Sequence, residues 1–67
     1  MGSFAERLIN AREKKNLTQK QLAEKLGITP TRLNYWEKGK REPNIEMIGK
    51  LAEALDVSPD SLMGWEY

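Results

Sequence analysis

Apolar residues recur along this chain at intervals of three and four, and a capping-type polar residue precedes most of the apolar clusters. Ser3 with Glu6 has the spacing of a capping box, in which a hydroxyl accepts from an early backbone N–H while the carboxylate reaches back. This predicts a first helix over about residues 4–14, with Phe4, Leu8 and Ala11 on one face. Thr18 with Gln21 repeats the box, Leu17 and Leu22 occupy hydrophobic-staple positions, and Gly27 ends the second helix. Thr29 caps a third helix, with Pro30 at its first position, where a missing N–H is harmless, and Ile28 and Leu33 as a second staple. Gly39 closes it, and Lys40 to Pro43 form a loop because proline disfavours helix at Glu42. Asn44 caps a fourth helix with Ile45, Ile48, Leu51, Ala52 and Leu55 at helical spacing. Gly49 within it costs about 1 kcal/mol relative to alanine, which predicts a close helix–helix contact there. Ser58-Pro59 starts a fifth helix, with Val57 and Leu62 as a third staple. No segment alternates with period two, so the expected fold class is all-α, five short helices without a sheet.

Sixty-seven residues suffice for one domain, 1–67, near the lower limit for an unaided core. Cysteine is absent, so neither a disulfide nor a thiolate-held metal braces it, a composition that fits a reducing cytosol. No apolar run approaches the ~18 residues of a membrane span, and the N-terminus lacks the apolar core of a secretion signal. Histidine is absent too, which removes Ser–His, Cys–His and most zinc chemistry, and no glycine-rich phosphate loop occurs; an enzyme is not expected.

The net charge of +1 changes meaning when the chain is divided after Pro43. The first part holds ten Lys/Arg against five Asp/Glu, a net +5; the second sets Lys50 against Glu46, Glu53, Asp56, Asp60 and Glu66, a net −4. Such a split suits a surface attracted to a polyanion, with ordinary scatter of surface charge as the alternative. The third helix sharpens the first option. Leu33 and Trp36 point one way, as core residues do, while Pro30, Thr31, Asn34, Tyr35 and Lys38 fan over the other side. A solvated face usually carries Glu and Lys; this one carries Thr, Asn and Tyr with cations at its end. Arg32 falls at the edge of that face, where phosphate contact and simple solvation are both open, and Lys14-Lys15 suits a solvated helix end.

Leu17-Thr18-Gln19, Gln21-Leu22-Ala23, Leu26-Gly27-Ile28-Thr29 and the run Tyr35-Trp36-Glu37-Lys38-Gly39-Lys40-Arg41-Glu42-Pro43 together resemble the phage-repressor/Cro-type helix-turn-helix (XRE) family. The tail Leu51-Ala52-Glu53-Ala54-Leu55-Asp56-Val57-Ser58 is similar to that family's fourth and fifth helices, so the resemblance runs from about Phe4 to Met63. It implies a five-helix, lambda-repressor-like bundle with the helix-turn-helix at about 18–39. It also implies sequence-specific binding of double-stranded DNA as the reading domain of a prokaryotic or phage transcriptional regulator, most often a repressor in the cytoplasm at the nucleoid.

The resemblance assigns roles by position. Helix three enters the major groove, with Pro30, Thr31 and Tyr35 at base edges; the polar face read from the residues adds Asn34. Thr18 and Gln19 meet phosphate at the start of helix two, and Lys38, Lys40 and Arg41 grip the backbone beyond helix three. Read from the residues alone, Thr29 is first a cap and second a phosphate contact, and Arg32 is open between phosphate and solvent. Arg12 and Glu37 form an ion pair between helices one and three. The chain departs from the pattern at Pro30, where the family often has Gln, Arg or Ser, and proline offers apolar contact only. The resemblance further implies a weak homodimer on a near-palindromic operator. Leu62, Met63 and Trp65, apolar near the end, are the expected contact residues, although Leu62 also has a staple to fill; no cofactor, metal, membrane or small-molecule partner is expected. Many such domains continue into a second domain, so Tyr67 is either a natural end or an internal boundary. The rival expectation is a protein-interaction module on the same fold, such as an antitoxin or adaptor; the polar face and the charge split favour DNA.

Overall fold

The computed structural model describes residues 3–65, in which α1 (Phe4–Lys14), α2 (Gln19–Leu26), α3 (Pro30–Glu37), α4 (Ile45–Leu55) and α5 (Pro59–Met63) follow one another without a strand among the described residues. Glu66 and Tyr67, which entered the charge count and the question of the chain end, lie outside them.

Each helix begins where a side chain replaces a missing backbone acceptor. Ser3 Oγ accepts from Glu6 N at 3.2 Å while Ser3 N donates to Glu6 Oε1 at 2.9 Å. Thr18 and Gln21 make the same reciprocal pair at 3.0 and 2.9 Å. Thr29, Asn44 and Ser58 each accept from the backbone N–H three residues on.

The helix ends share a device of their own: a left-handed residue follows each last turn, and the next N–H reaches back to a carbonyl five residues earlier. The bonds are Leu17 N to Arg12 O, Ile28 N to Ala23 O, Lys40 N to Tyr35 O, Val57 N to Ala52 O and Trp65 N to Asp60 O. Glycine fills the left-handed position at 27, 39 and 64, but Asn16 (φ 57°) and Asp56 (φ 60°) fill it at the ends of α1 and α4. Their short polar side chains make that region less costly than it is for most residues.

The core sits where the staples point. Leu8, Leu22, Ala23, Leu33, Leu51, Leu55 and Leu62 are essentially sealed from solvent, with Phe4, Trp36, Ile48 and Ala52 close behind. Helix α2 packs on α3 and α4, α1 packs on α3 and α5, and α4 packs on α5. Leu17, Ile28 and Val57, the residues before the three staple caps, lie half-buried against this cluster.

Three expectations are corrected. Gly49 marks no close approach: it is exposed, and a Cβ added there meets nothing within 4 Å. Ile45 shares the helical spacing of the α4 core residues but is 83% exposed, because at the first helical position it lies beyond the end of the packed interface. Leu62, expected at a dimer contact, is 1% exposed; its staple position turns it into the core, and it has no surface to offer a second copy.

Candidate nucleic-acid interface

The turn between α2 and α3 is short because Gly27 stops one helix in the left-handed conformation and Thr29 caps the next. Leu22 and Ala23 from α2 and Leu33 from α3 are all at 0% exposure, which locks the two helices together. The outer side of α3 is thereby left to solvent: Pro30, Thr31, Arg32, Tyr35 and Lys38 are exposed, as are Lys40 and Arg41 in the following loop and the caps Thr18 and Thr29. Tyr35, 44% exposed, is an aromatic ring displayed beside cations.

Behind this face runs a chain of polar contacts joining α1, α2 and α3. Arg12 grips Glu37 with two donors, Nε to Oε2 at 2.7 Å and Nη2 to Oε1 at 3.1 Å, and spends Nη1 on the Leu17 carbonyl at 2.8 Å. Both side chains are largely buried, 14% and 4% exposed, so the ion pair expected between helices one and three is present. Its planar fork-to-carboxylate geometry is the arrangement that best offsets desolvation. Gln19 Nε2 then donates to Glu37 Oε1 at 2.9 Å, and Asn34 Nδ2 donates to Gln19 Oε1 at 3.4 Å.

Two placements therefore differ from the sequence expectation. Gln19 is half-buried with both ends of its amide engaged inside the protein, rather than simply presented at the start of α2. Asn34 is half-buried as well and lies at the border of the polar face, not at its centre. The helical wheel explains this: Asn34 stands about 100° round α3 from Leu33, whereas Thr31 and Tyr35 stand about 160° from it. Glu37, buried in its pair with Arg12, widens the buried side of α3 toward Asn34.

Trp36 is 3% exposed, so it is a core residue. The Arg32 guanidinium lies 5.5 Å from its ring centroid, a cation–π distance that holds the cation at the edge of the face. Lys15 reaches Asp56 only at 3.9 Å between exposed side chains, a contact of little weight. Arg7 escaped sequence reasoning altogether: its Nε and Nη2 donate to the carbonyls of Leu62 and Met63 at 2.8 and 3.1 Å, closing the C-terminal end of α5 from α1. No local pattern signals such a contact, since its partners are main-chain atoms about 55 residues away. Of the remaining expected dimer residues, Met63 is half-buried and Trp65 is 58% exposed. Together with Ile45, Ile48, Gly49 and Pro59 they line an apolar groove with Asp60 at its side.

Two short helices locked across a glycine turn, the second presenting a polar, cation-flanked face, define a helix-turn-helix DNA-binding domain. The sequence model of the helix-turn-helix family matches residues 8–62, and the chain belongs to that family. It is similar to the transcriptional activator BcrR of Enterococcus faecalis, 41% identical over 63 residues, which make up 94% of this chain and 31% of that protein. It is also similar to the cryptic phage CTXphi transcriptional repressor RstR of Vibrio cholerae, 42% identical over 59 residues, 88% of this chain and 53% of that one. The crystal structure of the P22 c2 repressor in complex with a synthetic operator superimposes with a TM-score of 0.90 at 30% identity, covering 98% of this chain and 100% of that one. The fold is thus the repressor-type five-helix bundle, and the function is that of a DNA-binding domain of transcriptional regulators. The chain spans roughly a third to a half of the length of the curated relatives it matches.

Proposed function

We propose that this chain reads one half-site of a near-palindromic operator, as one arm of a weak two-fold dimer in a regulator that represses. The observation that carries this reading is the exposed Thr31–Tyr35 face of α3 followed at once by exposed Lys38, Lys40 and Arg41. Thr31 and Tyr35 stand where a helix laid in the major groove meets base edges, while Pro30 offers a methylene surface suited to a thymine methyl. Thr18 and Thr29 lie at the starts of α2 and α3, where N–H groups without intrahelical acceptors favour phosphate. Lys38, Lys40, Arg41 and Arg32 supply the charge that fixes register on the backbone. The reading gives the chain no catalytic step, no metal and no cofactor, and places it with the chromosome.

Dimerisation falls to Met63 and Trp65, with Ile45 taking the place expected for Leu62. Exposure of two large apolar side chains on so small a surface supports a contact there.

A salt titration of duplex binding tests the reading. Displacement of counterions from several phosphates gives a slope of about −0.9 in log K against log salt for each phosphate neutralised. A slope corresponding to several phosphates, together with recovery of a preferred site from a random duplex pool, is expected. A flat salt response and no enriched sequence would instead favour a protein-interaction module on this fold.

A further inference from the structure

We propose that Gln19 is a positioning residue for base reading: the chain Arg12–Glu37–Gln19 sets the amide of Asn34 so that Asn34 selects adenine. The inference rests on the DNA reading above and names a determinant of its specificity.

The argument is one of hydrogen-bond polarity. The Glu37 carboxylate, gripped by the Arg12 guanidinium at 2.7 and 3.1 Å, is a pure acceptor. A glutamine amide facing it must turn its NH2 inward, and Gln19 Nε2 does so at 2.9 Å. The Gln19 carbonyl is thereby forced outward toward α3. It can be met only by a donor, and Asn34 turns its own NH2 to it at 3.4 Å. One N–H of Asn34 is used in this way. Its other N–H and its Oδ1 make no further bond among the described residues, at the border of the exposed face of α3. That donor–acceptor pair is what the major-groove edge of adenine takes, N7 accepting and the N6 amino group donating. A guanine edge presents two acceptors, O6 and N7, and would set one of them against Oδ1. The polarity thus originates in a buried ion pair on α1 and α3 and passes through α2 to reach the base.

Gln19 so placed is distinct from a phosphate ligand, and a double-mutant cycle separates the two roles. Binding of the full chain to the site selected from a random duplex pool, and to versions with each base pair exchanged, is measured for wild type, Gln19→Ala, Asn34→Ala and the double variant. The expected result is an adenine preference of about tenfold or more in wild type, lost at the same base pair in both single variants, with Gln19→Ala adding nothing in the Asn34→Ala background. In the free protein, Gln19→Ala is expected to move the side-chain amide resonances of Asn34, while a thermal melt reports separately on stability. Uniform weakening of all sequences by Gln19→Ala, additive with Asn34→Ala, would make Gln19 a phosphate contact and overturn the proposal. So would an Asn34 amide signal unmoved by the substitution. If wild type binds no duplex, the DNA reading fails outright; if it binds and the cycle is additive, the fault lies with the positioning role alone.

Discussion

Glu37 accepts two hydrogen bonds from Arg12 and one from Gln19 while only 8% of its surface is exposed. A buried charge so held contributes modestly as a pair, but removal of either member strands the other. Breaking such a pair costs roughly 3–5 kcal/mol. A domain of this size has about 5 kcal/mol or somewhat more to lose. Glu37→Ala is therefore expected to leave the chain largely unfolded at moderate temperature, read as the loss of a cooperative melt by circular dichroism; a melting temperature unchanged within a few degrees would contradict the burial argument. Residue by residue, the caps were legible in sequence because each acts within three positions. Gln19, Asn34 and Arg7 were not, because their partners lie on other helices.

At the level of elements, α3 divides its labour between the helix and the loop that follows. Thr31 and Tyr35 project from the side opposite Leu33, whereas Lys40 and Arg41 lie past the left-handed turn at Gly39. On the proposed reading, groups on the helix meet bases, and cations beyond it meet the backbone, which carries no sequence. Lys40→Ala is accordingly expected to weaken binding to specific and unrelated duplexes by similar factors and to reduce the salt slope by about one phosphate. Tyr35→Ala is expected to leave the slope unchanged and alter which bases are preferred in a random-pool selection. Identical behaviour of the two variants would show that the helix face and the loop are not separate contacts. The same separation explains why Pro30 is tolerable at the start of α3: its fixed φ and lack of an N–H suit the first helical position, whatever it contributes to reading.

Across the whole molecule, the five helices leave an apolar groove of Ile45, Ile48, Met63 and Trp65 between α4 and the end of α5. Ile45 at 83% and Trp65 at 58% exposure give this face the large apolar side chains that a second copy would cover. The double substitution Ile45→Asp with Trp65→Asp is expected to abolish dimer in sedimentation equilibrium while preserving the melt, since neither residue belongs to the core. Operator affinity then falls as the two half-sites cease to be bound together. A dimer that survives the pair of charges places the contact elsewhere.

The element order, the boundaries and most of the core follow from local pattern: a cap, a proline or glycine, and apolar residues at three- and four-residue spacing act on the chain within a turn or two. The family likeness followed from the same short motifs. Local pattern put Ile45 in line with the α4 core and Gly49 at a close helix crossing, and packing left both exposed; Leu62, read both as a staple and as a dimer contact, is held in the core. The polar relay from Arg12 to Asn34 likewise exists only once α1, α2 and α3 converge. Spacing along one helix states which residues share a side; which side is covered, and by what, depends on packing between segments remote in sequence.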